Sequence, residues 1–146
     1  MTRILLDTNV IVRLSDPTAP EHGVVRAALN KLIEQATALC VTPQVLIEFW
    51  VVATRPTEAN GLGWSVEETR RVLDGLMAQL TLLEGRPDIF TAWLALASSG
   101  VSGKRAHDAR IAAVLHAHGL DSVLTLSVKD FAGFEGVIAL HPRDVT

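Results

Sequence analysis

Short runs of apolar residues alternate along this chain with longer segments of helical periodicity. Strand-length runs occur at residues 3–7, 38–41, 81–83, 123–126 and 137–140. Helical patterns occupy most of the sequence between these runs, at residues 20–35, 42–53, 65–80, 88–98 and 107–118. Because strands joined through helices run parallel with right-handed crossovers, the alternation predicts an α/β fold with a parallel central sheet flanked by helices.

The length and composition indicate one globular domain. The 146 residues are 49% apolar and contain no repeat or low-complexity linker, so we expect residues 1–146 to form a single domain. The longest uncharged stretch, residues 89–103, is shorter than the roughly 20 apolar residues of a membrane span. Cys40 is the only cysteine, and the N-terminal segment reaches Asp7 too soon for a signal peptide. We therefore expect a cytoplasmic protein without a membrane segment.

The charge balance excludes one mode of nucleic-acid binding. The 13 basic and 16 acidic residues give a net charge of −3. Proteins that hold nucleic acid mainly by electrostatic attraction carry basic surfaces. A nucleic-acid partner would therefore have to be bound through a local basic patch or through a bound metal ion.

Glu48 is the only charged residue in the segment 35–54. A helix that is apolar nearly all round is typical of a buried helix, and a carboxylate on such a helix is costly to desolvate unless something neutralises it. A purely structural glutamate would be paired with an arginine or held protonated. The only basic residue between Asn30 and Thr54 is Lys31, so any such partner is remote, and we favour a functional role.

Three further carboxylates stand near strand ends or helix starts. Asp7 ends the first apolar run, Asp108 begins an apolar helix, and Asp130 follows the strand at 123–126. Each has a structural alternative, because an acid at such a position can cap a helix or interact with its dipole. Ligands of parallel α/β sheets bind outside the carboxyl ends of the strands, so these acids and Glu48 can also converge on one edge of the sheet.

A convergence of acids has a specific chemical consequence. Like charges a few ångströms apart repel, and a cation among them makes the arrangement tolerable. Oxygen ligands without a histidine or cysteine pattern favour Mg²⁺, for which Mn²⁺ can substitute. Such a metal activates water for displacement at phosphorus, so the acids suggest phosphodiester hydrolysis. Thr8 and Asn9, beside Asp7, can hold its carboxylate or bind a metal-bound water.

Three motifs follow one another along the chain: Leu-Leu-Asp-Thr-Asn at 5–9, Glu48 within its helix, and Ala-His-Asp-Ala-Arg at 106–110. In this order the motifs resemble those of the PIN-domain ribonucleases, specifically the VapC-type toxins of bacterial toxin–antitoxin pairs. The loop from Thr-Arg-Pro at 54–56 to Asn-Gly-Leu-Gly at 60–63 is similar to a subgroup of these toxins.

The resemblance implies a PIN-like domain that acts as a Mg²⁺-dependent endoribonuclease, with Asp7, Glu48 and Asp108 as metal ligands. Its substrates would be structured RNAs such as tRNA or ribosomal RNA. A cognate antitoxin and a homodimer are also implied. The family often has a fourth acid or an asparagine just after the strand that ends here at Leu126.

The present sequence departs from the family at that fourth position. Ser127 stands there, and the nearest acid is Asp130. The role of the family's fourth acid can therefore be taken by Asp130, or by a water held by Thr125. The number of metal ions stays open.

The remaining candidates are substrate contacts. Lys104 and Arg105 lie next to Asp108 and can contact RNA phosphates, or they can belong to a solvated loop. Arg13 and Arg110 have the same potential. Two other functions remain as alternatives. A haloacid-dehalogenase-like phosphatase would need a second aspartate where Asn9 stands, and a non-catalytic PIN-fold binding module would have no need for the acids.

Overall fold

The computed structural model describes residues 2–146, and the predicted alternation of strands and helices is confirmed there. The strands are β1 (Arg3–Leu6), β2 (Ala38–Val41), β3 (Thr81–Leu82), β4 (Ser122–Leu124) and β5 (Ile138–Leu140). The helices are α1 (Thr8–Ser15), α2 (His22–Glu34), α3 (Pro43–Thr54), α4 (Val66–Gln79), α5 (Pro87–Ser98) and α6 (Arg105–Ala117). Short 3₁₀ turns cover Thr57–Ala59, Val128–Phe131 and Pro142–Asp144. No helix in the described range combines the length and apolarity needed to cross a membrane.

The five strands form one parallel sheet in the order β3-β2-β1-β4-β5. The chain first builds outward from β1 through β2 to β3, and then crosses back to place β4 on the other side of β1. The strand order therefore reverses between β1 and β4. In open α/β sheets the crevice outside the carboxyl ends of the strands at such a reversal is the usual ligand site.

Alternate residues of the central strand face two separate apolar layers. The side chain of Leu6 packs with helices α1 to α4 on one face of the sheet, where Val10, Val25 and Phe49 are fully buried. The side chain of Leu5 packs on the opposite face with residues of α5 and α6. This alternation is the period-two geometry of a strand that is buried on both sides, and it fixes the position of the carboxyl end of β1.

Local capping sets where the helices near this edge begin. Thr42 accepts a hydrogen bond from the backbone N–H of Val45 (3.1 Å), and Pro43 occupies the first position of α3. Proline is favoured there because the first helical N–H has no intrahelical partner. Asp7 caps α1 by accepting a hydrogen bond from the N–H of Thr8 (2.8 Å). The expected capping role of Asp7 is therefore present, together with the further contacts described below.

The expectation that α3 is buried all round is wrong. Its apolar surface includes Ile47 and Val51, whose relative exposures are 64% and 51%. Val45 and Phe49 on the opposite face are fully buried. Glu48 lies at the border between these faces and is half-buried, so the desolvation of its carboxylate is smaller than the sequence pattern predicts.

Candidate active site

Asp7 lies at the point where the strand order reverses. Its backbone N–H donates to the carbonyl of Leu124 in β4 (3.0 Å), which extends the pairing of β1 with β4 by one residue. One carboxylate oxygen, Oδ1, accepts from the N–H of Thr8, and the other, Oδ2, accepts from the hydroxyl of Thr125 (2.8 Å). The first residue of α1 and the residue just after β4 thus hold this carboxylate at the carboxyl edge of the sheet.

Thr125 is the centre of a buried hydrogen-bond network. Its hydroxyl oxygen also accepts from the backbone N–H of Ser127 (3.0 Å) and from the amide Nδ2 of Asn9 (3.3 Å). The same Nδ2 lies 3.4 Å from Ser127 Oγ, and Asn9 Oδ1 accepts from the N–H of Leu126 (3.1 Å). The polar residues predicted around Asp7 are therefore brought together, and their contacts hold the segment after β4 against the start of α1.

Thr8 links Asp7 to Glu48. The Thr8 hydroxyl donates to Glu48 Oε2 (2.7 Å), while its backbone N–H donates to Asp7. The other oxygen of Glu48, Oε1, accepts from Nε2 of Gln44 (3.1 Å), one helical turn earlier in α3. Arg110 in turn donates to Oε1 of Gln44 (2.6 Å). Glu48 is therefore held by neutral donors, and Arg110 contacts it only through the amide of Gln44.

Asp108 and Asp130 complete the acidic group. Asp108 lies in the first turn of α6 and is half-buried, and Asp130 lies exposed in the 3₁₀ turn after β4. Burial raises the pKa of Asp108, and the charges of Asp130 and Asp7 raise it further, against smaller opposing effects of Arg105 and His107. These charge effects indicate that Asp7, Asp108 and Asp130 lie within electrostatic range of one another.

The same electrostatic effects act on Asp7. Burial is the largest cause that raises the pKa of its carboxyl group, and the charges of Glu48 and Asp130 act in the same direction. The hydrogen bonds from Thr125 and Thr8 lower the pKa and so oppose part of this effect. A carboxylate that is destabilised by other carboxylates is stabilised when a cation is nearby.

The donor chemistry fits a hard divalent cation. In the part of the chain that the structure describes, the acids that form ion pairs with arginine are Glu21, Asp74, Asp88 and Asp144. Asp7, Glu48, Asp108 and Asp130 are not among them. No three carboxylate, imidazole or thiol groups within residues 2–146 stand close enough to form a ready-made metal cage. Mg²⁺ does not need such a cage, because it keeps several waters and is usually bound through one or two carboxylates.

The two basic residues predicted to contact RNA phosphates, Lys104 and Arg105, have different environments. Lys104 is exposed just before α6. Arg105 is half-buried and donates to the backbone carbonyls of Asp130 (3.4 Å) and Ala132 (2.8 Å), with its guanidinium 4.4 Å from the centre of the Phe134 ring. Arg105 therefore holds the turn that carries Asp130 against α6. A contact of either residue with RNA stays a prediction.

Two cavities adjoin the acidic residues. One has a volume of about 310 Å³ and lies beside Glu48, with Gln44, His107 and Arg110 in its wall. The other has a volume of about 410 Å³ and is lined on one side by Asp7, Thr8 and Asn9. Sequence reasoning missed Gln44 and also missed Arg55, which lines the second cavity, because neither belongs to an acidic motif.

The fold and the site together define an α/β protein with a candidate divalent-metal site at the carboxyl edge of a parallel sheet. Residues 4–128 match the family described as the PIN domain. The match covers most of the 146 residues, so the chain belongs to the PIN-domain family. The resemblance inferred from the three sequence motifs is therefore confirmed at the level of the family.

Individual relatives agree with this membership. Ribonuclease VapC24 of Mycobacterium tuberculosis is 28% identical to this chain over 135 residues, which cover 88% of this chain and 89% of the relative. The DNA-bound VapBC structure from Salmonella typhimurium contains a chain with a TM-score of 0.71 and 20% identity, with coverages of 97% and 99%. A chain of VapBC2 from Rickettsia felis, bound to a promoter DNA fragment, gives a TM-score of 0.70 at 17% identity, with coverages of 96% and 98%. At these identities the two structures support the fold.

Proposed function

We propose that this protein is a Mg²⁺-dependent endoribonuclease that hydrolyses RNA phosphodiester bonds and acts as the toxin of a toxin–antitoxin pair. The observation that carries the proposal is that Asp7, at the reversal of strand order, lies within electrostatic range of Glu48, Asp108 and Asp130, and that none of these four acids is paired with a basic side chain in residues 2–146. Membership of the PIN-domain family and the relative named as a ribonuclease support RNA as the substrate.

The proposal extends to partners and location. The VapBC structures that share this fold support a cognate antitoxin as the protein partner. We also propose a homodimer that acts in the cytoplasm on structured RNA such as tRNA or ribosomal RNA, with Mn²⁺ able to replace Mg²⁺. The whole chain, residues 1–146, would form the one nuclease domain.

The roles of the side chains follow from their contacts. Asp7, Glu48 and Asp108 would hold Mg²⁺, and Asp130 would act as the fourth acid. When bound, Mg²⁺ supplies an activated water and positive charge for the displacement at phosphorus. Thr8 fixes the two carboxylates of Asp7 and Glu48 relative to each other by donating to both.

The neighbouring polar residues have positioning roles. Thr125 orients Asp7 by donating to its Oδ2. Asn9 and Ser127 keep the segment that carries Thr125 in register with α1. Lys104 and Arg105 would contact substrate phosphates at the start of α6. None of these groups needs to form a covalent bond with the substrate.

The test is RNA cleavage by single-residue variants. Asp7→Ala, Glu48→Ala and Asp108→Ala should each lower the Mg²⁺-dependent rate on total RNA by on the order of 100-fold or more, because each removes a metal ligand. Asp144→Ala is the matched control, since Asp144 is an exposed acid paired with Arg143, and it should cut as the parent does. Cleavage at the parental rate by all three site variants would refute the proposal.

The fourth position needs its own comparison. If Asp130 completes the site, Asp130→Asn lowers the cleavage rate and Ser127→Ala leaves it within a few-fold of the parent. The opposite order would place the fourth role at Ser127. Both variants should first be shown to unfold at temperatures close to that of the parent.

Two further measurements at Asp7 distinguish the two alternative functions. In a haloacid-dehalogenase-like phosphatase a second aspartate would stand two residues after Asp7, but Asn9 occupies that position and its amide is bonded to the segment after β4. Trapping a phosphorylated Asp7 would revive that alternative. A non-catalytic binding module would keep its cellular effect in Asp7→Asn.

A further inference from the structure

The cavity beside Asp7 combines the acidic site with a cationic wall. Its volume is about 410 Å³, and its lining consists of Asp7, Thr8, Asn9, Val12, Arg13, Val52, Arg55 and Asn60. Two arginine residues therefore line the same space as a residue of the proposed metal site. This arrangement is notable in a chain whose net charge is −3, because an anionic substrate must then be attracted locally.

Arg55 has unused hydrogen-bonding capacity in this wall. Its Nη2 donates to the carbonyl of Asn60 (3.2 Å), but its buried Nε finds no hydrogen-bond partner within residues 2–146. Leaving a buried charged donor unsatisfied is costly, and such groups in folded proteins call for an explanation. A small movement of the Arg55 side chain that brings Nε to the cavity surface would let an anionic ligand satisfy that donor.

The loop after α3 is built to hold Arg55 in place. The N–H of Gly63 donates to the carbonyl of Arg55 (2.9 Å), and the N–H of Gly61 donates to the carbonyl of Pro56 (2.9 Å). A Cβ atom on Gly61 would lie only 1.9 Å from the Arg55 carbonyl oxygen, so only glycine permits this close approach. The loop motif at 54–63 therefore has a structural purpose, which is to fold back over the end of α3 and fix Arg55.

Arg13 also lines the cavity. It lies in the last turn of α1, and its Nε is 3.4 Å from Glu21 Oε2. Its side chain remains 37% exposed, so the ion pair does not remove it from the cavity surface. Asn60, beside Arg55, adds a polar side chain to the same lining.

We infer that Arg55, assisted by Arg13, forms a phosphate-binding subsite for the nucleotide next to the scissile bond. The inference rests on the proposed function, because it takes RNA as the substrate. The planar guanidinium fork suits two oxygens of one phosphate. A phosphate held there would lie in the same cavity as Asp7 and would orient the RNA backbone across the acidic site. Arg55 would thereby contact the substrate without taking part in bond breaking.

Binding measurements separate this subsite from catalysis. The Asp108→Asn protein serves as the reference so that the RNA is not cut, and Arg55→Gln, Arg55→Lys, Arg13→Gln and Arg70→Gln are added to it one at a time. The probe is a short fluorescein-labelled single-stranded RNA, titrated by anisotropy in Mg²⁺ between about 50 and 200 mM salt. Arg70 is the matched control because it is an exposed arginine on α4 that pairs with Asp74 (2.9 Å).

We expect Arg55→Gln to weaken binding about tenfold and to reduce the slope of log K against log salt by about 0.7, the value for one phosphate contact on a single strand. Arg55→Lys should keep the slope, because the charge remains, but bind more weakly than the reference because the fork is lost. Arg13→Gln should have a smaller effect in the same direction as Arg55→Gln. Arg70→Gln should match the reference in both affinity and slope.

Two outcomes would overturn the inference. One is an Arg55→Gln protein with the affinity and slope of the reference, and the other is an equal loss in Arg70→Gln. If Arg55→Gln fails to fold, as judged by its circular dichroism, the Arg55→Lys and Arg13→Gln results decide. The cleavage assay on the acidic variants is independent of these binding measurements. If the three acidic variants cut RNA as the parent does while Arg55→Gln still weakens binding, the nuclease proposal is refuted and Arg55 remains an RNA phosphate contact.

Discussion

Two threonine residues do much of the positioning in the candidate site. Thr8 donates to Asp7 through its backbone and to Glu48 through its hydroxyl, and Thr125 donates to Asp7 from the position just after β4. A hydroxyl orients a carboxylate without neutralising it, whereas an arginine would cancel the charge that a metal ion requires. The site therefore fixes Asp7 and Glu48 without placing a basic side chain in an ion pair with either of them.

Replacing Thr125 by valine should show how much the orientation of the Asp7 carboxylate contributes, without removing its charge. Thr125→Val removes the donor to Asp7 and the acceptor of the Ser127 N–H, so we expect the free energy of unfolding to fall by about 1–3 kcal/mol. The cleavage rate should fall about tenfold with a small change in KM, since the RNA contacts are unaffected. Thr125→Ser keeps the hydroxyl and should recover most of both losses. Urea unfolding and initial-rate kinetics provide the measurements, and equal defects in the two variants would contradict the hydroxyl's role.

The raised pKa of Asp7 leads to a prediction about pH. Because burial raises the pKa of Asp7 above the ordinary value of 3.8, the folded protein holds this proton more tightly than the unfolded chain does. Stability therefore falls as the pH rises from the unfolded pKa through the folded pKa. Asp7→Asn should increase the free energy of unfolding at pH 7 in EDTA, and the gain should shrink below pH 3.8, where Asp7 is protonated in both states.

Urea unfolding of the parent and of Asp7→Asn across this pH range measures the effect. Asp144→Asn, at an exposed acid, provides the control and should change stability little at either pH. A loss of stability in Asp7→Asn at pH 7 would show that its hydrogen bonds from Thr8 and Thr125 outweigh the burial of its charge.

At the level of whole elements, the alternation of patterns was sufficient to predict all five strands in residues 2–146 and five of the six helices. The pattern did not predict α1, because Val10, Ile11 and Val12 are consecutive β-branched residues and such a run favours a strand. All three are buried, so tertiary packing and the Asp7 cap outweigh local propensity. The exposed stripe on α3 was missed for a related reason, since composition does not tell which apolar face a neighbour covers.

Two glycine substitutions test the loop and a helix as elements. Gly61→Ala should lower the free energy of unfolding by about 1–3 kcal/mol, because its Cβ would meet the Arg55 carbonyl. Gly75 lies inside α4 with nothing within 4 Å of an added Cβ, so Gly75→Ala should raise stability by about 0.5–1 kcal/mol. Thermal unfolding measures both. Equal effects of the same sign would contradict the close approach at Gly61.

At the level of the molecule, the proximity of Asp7 to the residues after β4 was predictable, but their contacts were not. The carboxyl ends of parallel strands share one edge, so Asp7 and the residues after β4 had to lie near each other. The sequence does not show that Thr125 donates to Asp7 across 118 positions, because a hydrogen bond depends on ångström-level placement. Arg55 was missed because its function follows from a loop conformation and from a cavity that only the assembled fold creates.

The assembled site predicts how the whole protein responds to a divalent ion. An ion that binds the folded state alone stabilises it by an amount that grows with the logarithm of its concentration, about 2.7 kcal/mol at 100 times the Kd. The parent should therefore unfold at a higher temperature as Mg²⁺ is added. Asp7→Asn and Asp108→Asn should begin more stable in EDTA and gain much less from Mg²⁺, because each variant has already lost one repelling charge and one ligand.

The control for this effect is salt without a divalent ion. KCl at matched ionic strength screens repulsion among the acids in every variant, so only the difference between Mg²⁺ and KCl reports specific binding. That difference should be large for the parent and for Asp144→Asn and small for the two site variants. If Mg²⁺ stabilises all four proteins equally, the acids do not form a metal site, since the ion would then be acting on charges spread over the whole surface.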